Sequence, residues 1–185
     1  MNGGYPASEW VTRYIPGVPK PGVVLDVACG KGRNLRLAYA LGHPVVGIDV
    51  NMTGVSDLVE QPGIELIEAD LEDGRPFPLA GRRFAGVIVT SYLWRPILAD
   101  LVDSVSDDGL MIYETFALGN QRYGRPTNPD YLLQPGELLA VVQPRLTTIA
   151  FEHVSLRDPL RSVQRIVAVG PGHPWLADPP LIAGT

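Results

Sequence analysis

The sequence predicts an α/β protein: a seven-stranded, mostly parallel sheet with helices on both faces and one antiparallel strand near the C-terminus. Three observations lead to this fold class. Apolar runs rich in β-branched residues alternate with segments of helical period, as in strand–helix–strand units. The strand-like runs end at polar residues, and the last two runs are close enough in sequence to form a hairpin.

The first half of the chain contains four predicted strands, over 23–27, 45–49, 64–70 and 84–90. Between the first two, apolar residues at helical spacing predict a helix from Asn34 to Leu41. Gly42 and Pro44 follow it and predict its end, because glycine favours a helix terminus and proline cannot continue the helix.

The second half continues with a helix that starts near Pro96 and a turn at 107–109 that leads into a fifth strand, 110–114. Residues 117–128 have no clear period and are predicted to form a loop. This loop leaves the carboxyl end of a strand, where open α/β sheets place their ligands. Another helix is predicted to start near Pro135.

The last two strands are predicted over 146–151 and 163–169, joined as an antiparallel hairpin. Residues 170–185 carry repeated proline and glycine and are predicted to be an irregular tail. We find no repeat and no linker, so the sequence predicts a single domain over 1–185.

The composition limits the binding partners and the cellular compartment that are expected for this protein. The chain has 185 residues, 45% of them hydrophobic, a net charge of −5, and one cysteine, Cys29. This charge repels phosphate backbones, so a nucleic-acid partner is not expected. No apolar run approaches the roughly 20 residues that cross a bilayer. With no basic or apolar leader, the protein is expected to be cytoplasmic, without a membrane partner, and a monomer or homodimer.

A glycine turn after the first strand is the main functional motif. The lysine between Gly30 and Gly32 is followed by glycine rather than Ser or Thr, which excludes a phosphate loop. A dinucleotide fingerprint is partly present, because Asp49 lies about twenty residues further on, but Leu35 replaces its third glycine. Asp26 would repel a pyrophosphate and suits a ligand with ammonium and sulfonium groups.

Residues 26–32 resemble the first motif of class I S-adenosylmethionine-dependent methyltransferases, which reads acidic-x-x-x-G-x-G after a hydrophobic strand. The resemblance continues through Asp49, Asp70 and the fourth strand, and covers about 19–169. The sequence of residues 26–34 is most similar to the small-molecule branch of this family, which includes tellurite-resistance-type methyltransferases. The resemblance implies a Rossmann-like fold and S-adenosylmethionine as cofactor.

The resemblance also implies a set of cofactor-binding residues. Asp49 would accept hydrogen bonds from the ribose hydroxyls and Asp70 from the adenine amine, while Thr90 and Ser91 would lie near the methionine amine and the sulfonium. From the residues alone, Asp49 and Asp70 are also compatible with helix capping. The full predicted set is Asp26, Ala28, Cys29, Gly30, Gly32, Asn34, Asp49, Val50, Asn51, Asp70, Leu71, Thr90 and Ser91.

The acceptor side is predicted from position. Enzymes that methylate bases usually show Asn or Asp followed by Pro-Pro-Tyr after the fourth strand, and this chain does not. Tyr92 and Arg95, with Trp94, suggest an aromatic pocket with one fixed positive charge for an anionic or planar small molecule. Glu114, at the end of the fifth strand, is the candidate base. Glu114, Tyr92 and Arg95 form the predicted catalytic set, with Arg122 and Tyr123 as closing residues.

The terminal segment 1–21 is expected to cover the site through Trp10 and Tyr14, because an N-terminal helix does so in enzymes that this sequence resembles. No metal is expected, since the three histidines follow no ligand spacing and suit surface or capping positions. The predicted function is in-line methyl transfer to a small molecule. A non-catalytic cofactor-binding subunit or sensor and, less favoured, a nicotinamide oxidoreductase remain open.

Overall fold

A computed structural model describes residues 6–181, and 1–5 and 182–185 lie outside the described residues, including parts of the predicted lid and tail. Seven strands form one sheet in the order β3-β2-β1-β4-β5-β7-β6, and β7 runs antiparallel to β5 and β6. The predicted fold class is confirmed. The strands are β1 (Val24–Val27), β2 (Val45–Asp49), β3 (Ile64–Glu68), β4 (Phe84–Thr90), β5 (Val105–Phe116), β6 (Thr147–Leu156) and β7 (Arg161–Val169).

The strand order reverses at β1, and this reversal positions the site. From β1 the chain adds β2 and then β3 on one side, and returns to place β4 on the other side of β1. A crevice therefore opens at the carboxyl ends of β1 and β4. All four residues of β1 are buried, as expected for a strand that lies centrally in a parallel sheet.

Within residues 6–181, four short α-helices accompany the sheet: α1 (Glu9–Tyr14), α2 (Arg33–Ala40), α3 (Leu98–Asp103) and α4 (Glu137–Val142). Alternate strand residues point to opposite faces, so the core divides into two apolar clusters. One cluster joins the sheet to α3 and α4, and the other joins it to α1 and α2. The three predicted helices are confirmed, although the one near Pro96 begins as a 3₁₀ turn, Arg95–Ile97.

Two strands, β5 and β6, are more than two residues longer than predicted. The expected turn at 107–109 lies inside β5, because Val105 already pairs with Phe84 and an irregular register absorbs the intervening residues before Leu110 pairs with Gly86. Strand β6 continues to Leu156 because its hairpin pairing with β7 extends to that residue. Neither extension shows as apolar alternation, so both come from cross-strand pairing.

The N-terminal helix packs into the core rather than over the crevice. Trp10 and Tyr14 are each 2% exposed, and their rings meet edge to face at 4.7 Å. Trp10 Nε1 donates to the carbonyl oxygen of Ile166 on β7, and the Arg165 guanidinium lies 4.6 Å from the Trp10 ring centre. The expectation that these two aromatic side chains form a lid is therefore corrected: they anchor α1 to the sheet.

Helix α2 offers a direct test of this packing. Leu35 is fully buried beneath the glycine turn, whereas Leu41, just past the helix, is 38% exposed. We expect Leu35→Ala to lower the free energy of unfolding by about 2–5 kcal/mol, because it leaves a cavity. Leu41→Ala should change it by less than about 0.5 kcal/mol. Urea denaturation measures both, and equal losses would contradict this core assignment.

Candidate functional site

The glycine turn has a left-handed backbone at three positions after β1. Ala28, Gly30 and Gly32 have φ values of 52°, 55° and 69°. A Cβ on Gly30 would meet nothing within 4 Å, so this glycine faces open space. A Cβ on Gly32 would lie 2.6 Å from Val55 Cγ1, so that glycine is required by packing. Ala28 bears the strain of a non-glycine residue there, which is typical of ligand sites.

The Asp49 carboxylate braces this turn. One oxygen accepts the Gly30 N–H at 2.8 Å, and the other accepts the Asn51 N–H at 3.0 Å. Asn51, not Asp49, caps the following 3₁₀ helix through the Thr53 N–H. The helix-capping alternative for Asp49 is therefore wrong.

Asp70 likewise caps no helix. Its Oδ1 accepts the Glu72 N–H at 2.9 Å in a turn, and the segment from Asp70 to the start of β4 contains no helix. Both acidic side chains lie at the carboxyl ends of neighbouring parallel strands, β2 and β3. The two carboxylates therefore point to the same side of the crevice as the glycine turn.

Asp26, in β1, is buried beneath the turn. Its Oδ2 accepts the Leu35 N–H at 2.9 Å, in the first turn of α2. Burial raises the pKa of this carboxyl to about 7, only partly offset by the Leu35 N–H and the charge of Arg33. A cationic group bound nearby would favour its ionised form.

A first cavity of about 190 Å³ collects residues from the ends of three strands. It combines three carboxylates, those of Asp49, Asp70 and Glu72, with apolar surface from Val50 and Leu71. Such a lining suits a nucleoside, because carboxylates accept from hydroxyls and amines while apolar side chains pack on a planar base. Its walls are Ala28, Asp49, Val50, Ala69, Asp70, Leu71, Glu72 and Tyr92.

Eight of the thirteen predicted cofactor residues do not line this cavity, among them Cys29, Asn34 and Thr90. Cys29 is buried against Gly47, and burial raises the pKa of its thiol to about 12. Asn34 accepts the Ser8 N–H at 3.0 Å and donates to Thr90 Oγ1 at 2.9 Å. The structure thus places the Asn34 and Thr90 side chains in a link between the N-terminal segment and β4.

The residues after β4 are held by β5. Ser91 has a φ of 57°, and its N–H donates to the carbonyl oxygen of Glu114 at 2.9 Å. The buried Tyr113 hydroxyl donates to the carbonyl oxygen of Tyr92 at 3.0 Å. A second strained non-glycine residue, Ser91, therefore stands at the crevice, and β5 holds Ser91 and Tyr92 with one hydrogen bond each.

A second cavity of about 250 Å³ adjoins the first through the shared residues Glu72 and Tyr92. The Tyr92 hydroxyl is buried and makes no hydrogen bond within the described residues. Burial raises the pKa of Tyr92, and the nearby charge of Glu72 raises it further. The cavity is lined by Glu72, Ser91, Tyr92, Leu93, Thr115, Phe116, Pro126 and Tyr131.

Glu114, the predicted base, lines neither cavity. Its carboxylate is buried, accepts the Ser8 hydroxyl at 3.3 Å, and lies 3.5 Å from Arg165 Nη1. Strand alternation explains this, because Glu114 points to the face opposite Tyr113 and Thr115. The position at a strand end predicted closeness to the crevice but not the face.

Arg95 is not the free positive charge that was expected. Its guanidinium forms a bidentate ion pair with Glu137, at 2.7 and 3.0 Å, and also donates to the backbone carbonyls of Asp130 and Leu132. The pair neutralises its charge and ties the segment that carries Tyr131 to the residues after β4. Arg122 and Tyr123 line neither cavity; Pro126 and Tyr131 occupy the place expected for closing residues.

Sequence analysis did not identify Glu72 as a site residue, although it lines both cavities. It lies two residues after Asp70, so its place at a strand end was the available signal. Among the histidines, His173 caps the Trp175 N–H as expected, whereas His43 is buried with Nδ1 3.0 Å from the Gly22 carbonyl oxygen, contrary to its predicted position. The described residues contain no group of three potential metal ligands.

Comparison with known proteins supports the fold and the domain family. Residues 25–95 match a family described as a methyltransferase domain. This segment contains the glycine turn, all three carboxylates of the first cavity and Tyr92. The match and the sheet order agree with the predicted resemblance to class I S-adenosylmethionine-dependent methyltransferases. No described helix is long and apolar enough to cross a bilayer.

Solved structures with this fold include TehB from Haemophilus influenzae, with a TM-score of 0.67 at 16% identity, over 88% of this chain and 61% of that chain. A TehB-like SAM-dependent methyltransferase from Corynebacterium glutamicum has a TM-score of 0.63 at 17% identity, over 90% of each chain. A Burkholderia thailandensis 1,6-didemethyltoxoflavin-N1-methyltransferase has a TM-score of 0.64 at 15% identity, over 86% of this chain and 75% of that chain.

One curated relative is named as an RNA methyltransferase. The 18S rRNA (guanine-N(7))-methyltransferase bud23 of Schizosaccharomyces pombe is 32% identical over 114 residues, which cover 60% of this chain. The match spans 42% of that protein, so this chain corresponds to about two fifths of its length.

The burial of Asp26 predicts a pH dependence of stability. Its pKa is about 7 in the fold and near 3.8 in the unfolded chain, so the folded state holds the proton more tightly. The resulting stability is present below about pH 4 and lost as the pH rises towards 7. Relative to Asp26→Asn, the protein without ligand should lose stability on the order of 2–4 kcal/mol across that range. Urea unfolding measures this, and a pH-independent difference would contradict it.

Proposed function

We propose that this class I methyltransferase transfers a methyl group from S-adenosylmethionine to a small-molecule acceptor by in-line displacement. The observation that carries the proposal is the pair of cavities that meet at Glu72 and Tyr92, at the carboxyl ends of the strands. The first suits a nucleoside, and the second leaves about 250 Å³ beside it for an acceptor. A non-catalytic subunit would not need the second cavity.

The cofactor is assigned to the first cavity. Asp49 would accept hydrogen bonds from the two ribose hydroxyls, and Asp70 would accept one from the adenine amine. Val50 and Leu71 would pack against the base. Asp26, below the turn, would favour the ammonium of the methionine part, because a buried carboxylate is stabilised by a nearby cation. The open space in front of Gly30 allows the ligand to approach the backbone closely.

The protein's contribution to the rate is positioning. The bound cofactor supplies a methyl group on a sulfonium, which is displaced by a nucleophile aligned with the carbon–sulfur bond. The two hydrogen bonds from β5 to Ser91 and Tyr92 hold the wall that separates cofactor from acceptor. Alignment and exclusion of water supply up to about 7–11 kcal/mol of such a barrier.

A small acceptor fits the second cavity better than a polymer. None of its lining residues is Lys or Arg, and the net charge of the chain is −5. Both features oppose a phosphate backbone. RNA methylation is the second candidate, since bud23 is a relative over 114 residues. We propose a single domain over 1–185, a cytoplasmic location, and a monomer or homodimer.

Asp49 provides the test of the cofactor site. We expect Asp49→Ala to weaken S-adenosylhomocysteine binding at least tenfold, because it removes the ribose acceptor and the brace of the turn. Asp100→Ala, on α3 outside both cavities, removes the same charge and should leave the affinity unchanged. Isothermal calorimetry measures both. Equal affinity of the two variants would remove Asp49 from the site.

The acceptor class is tested with methyl-labelled S-adenosylmethionine. The protein is incubated in parallel with the small-molecule filtrate of a cell extract and with purified total RNA. We expect label in the filtrate and none in RNA. Label in RNA would establish the second candidate, and label in neither fraction, despite cofactor binding, would favour a sensor.

A further inference from the structure

Glu72 is the carboxylate that the fold presents to both cavities. Its N–H is fixed by Asp70, so its backbone position is tied to the predicted adenine-binding side chain. The Glu72 side chain is exposed and forms no ion pair within residues 6–181. This carboxylate therefore remains available to a ligand at the junction of the two cavities.

Tyr92 adds a neutral hydrogen-bond donor beside this carboxylate. The hydroxyl lies close to the Glu72 carboxylate, which helps to raise its pKa, and meets the geometry of no protein hydrogen bond in the described part of the chain. Phe116 and Tyr131 supply the other aromatic walls. The second cavity thus offers one carboxylate, one neutral hydroxyl, and flat apolar surface.

We propose that the Glu72 carboxylate accepts a hydrogen bond from the N–H or O–H group of the methyl acceptor. The acceptor is a planar, uncharged molecule with a ring N–H or a hydroxyl rather than an anion. This inference rests on the proposed function, because it requires S-adenosylmethionine in the first cavity.

The charge that lines the second cavity disfavours an anionic acceptor, because Glu72 is its one charged lining residue. Arg95, three residues after Tyr92, is already paired with Glu137. No Lys or Arg lines the second cavity. An anion beside the Glu72 carboxylate would be repelled by its charge.

The proposed step is a nucleophilic substitution at the methyl carbon. A nitrogen or oxygen lone pair of the acceptor forms the bond to the methyl carbon, while the electron pair of the carbon–sulfur bond returns to sulfur. The acceptor's N–H or O–H proton passes to the Glu72 carboxylate. Because that side chain is exposed, the proton can then leave to water.

Two flat bicyclic probes test this assignment: benzimidazole, which is neutral with a ring N–H, and 2-naphthoate, which is an anion. Their binding to protein saturated with S-adenosylhomocysteine is measured by calorimetry for the unaltered chain, Glu72→Gln and Asp73→Asn. Asp73 is the matched control, because it is adjacent, pairs with Arg75, and lines neither cavity.

We expect the unaltered chain to bind benzimidazole at least tenfold more tightly than 2-naphthoate. Glu72→Gln should narrow this ratio at least tenfold, and Asp73→Asn should leave it unchanged. An unchanged ratio in Glu72→Gln, equal binding of the two probes, or binding of neither to the S-adenosylhomocysteine complex would overturn the inference and leave the cofactor site standing. Failure to bind S-adenosylhomocysteine itself would overturn the proposed function as well.

Discussion

The site depends on the two hydrogen bonds that Asp49 accepts. Its carboxylate joins the glycine turn after β1, through Gly30, to the segment after β2, through Asn51. These two segments form adjacent walls of the first cavity, and neither belongs to a strand. One side chain thus fixes the distance between two loops and keeps its oxygens at the cavity. A ligand that engages Asp49 adds its own contacts to this brace.

Two residues with strained backbone conformations border the crevice, and hydrogen bonds near each of them offset the strain. Ala28 and Ser91, at the exits of β1 and β4, have the left-handed backbone that costs non-glycine residues about 1–3 kcal/mol each. The surrounding hydrogen bonds offset this cost: Asp26 anchors the first turn of α2, and β5 holds the residues after β4. The two distorted exits direct the chain away from the sheet and leave the crevice open between them.

The sequence predicted a ligand crevice at the carboxyl ends of the strands. It also predicted the chemical character of the residues around this crevice. Hydrophobic runs located β2 and β4 to the residue, and the spacing of Asp49 and Asp70 after those runs placed both at one cavity. Sequence did not predict long-range partners. The Glu114 side chain lies on the opposite face of the sheet and pairs with Arg165. The charge of Arg95 is neutralised by Glu137, which is forty-two residues away in sequence. Such pairings depend on packing between distant segments, which periodicity does not encode.

The central claim is that this turn selects a sulfonium nucleoside rather than a dinucleotide. A carboxyl buried below the turn, Asp26, favours a cation and disfavours a pyrophosphate. A calorimetric titration of the same protein sample with S-adenosylmethionine and with NAD tests this claim directly. The account predicts saturable binding of S-adenosylmethionine, with a dissociation constant on the order of micromolar, and no binding of NAD. Binding of NAD with equal or higher affinity would contradict it.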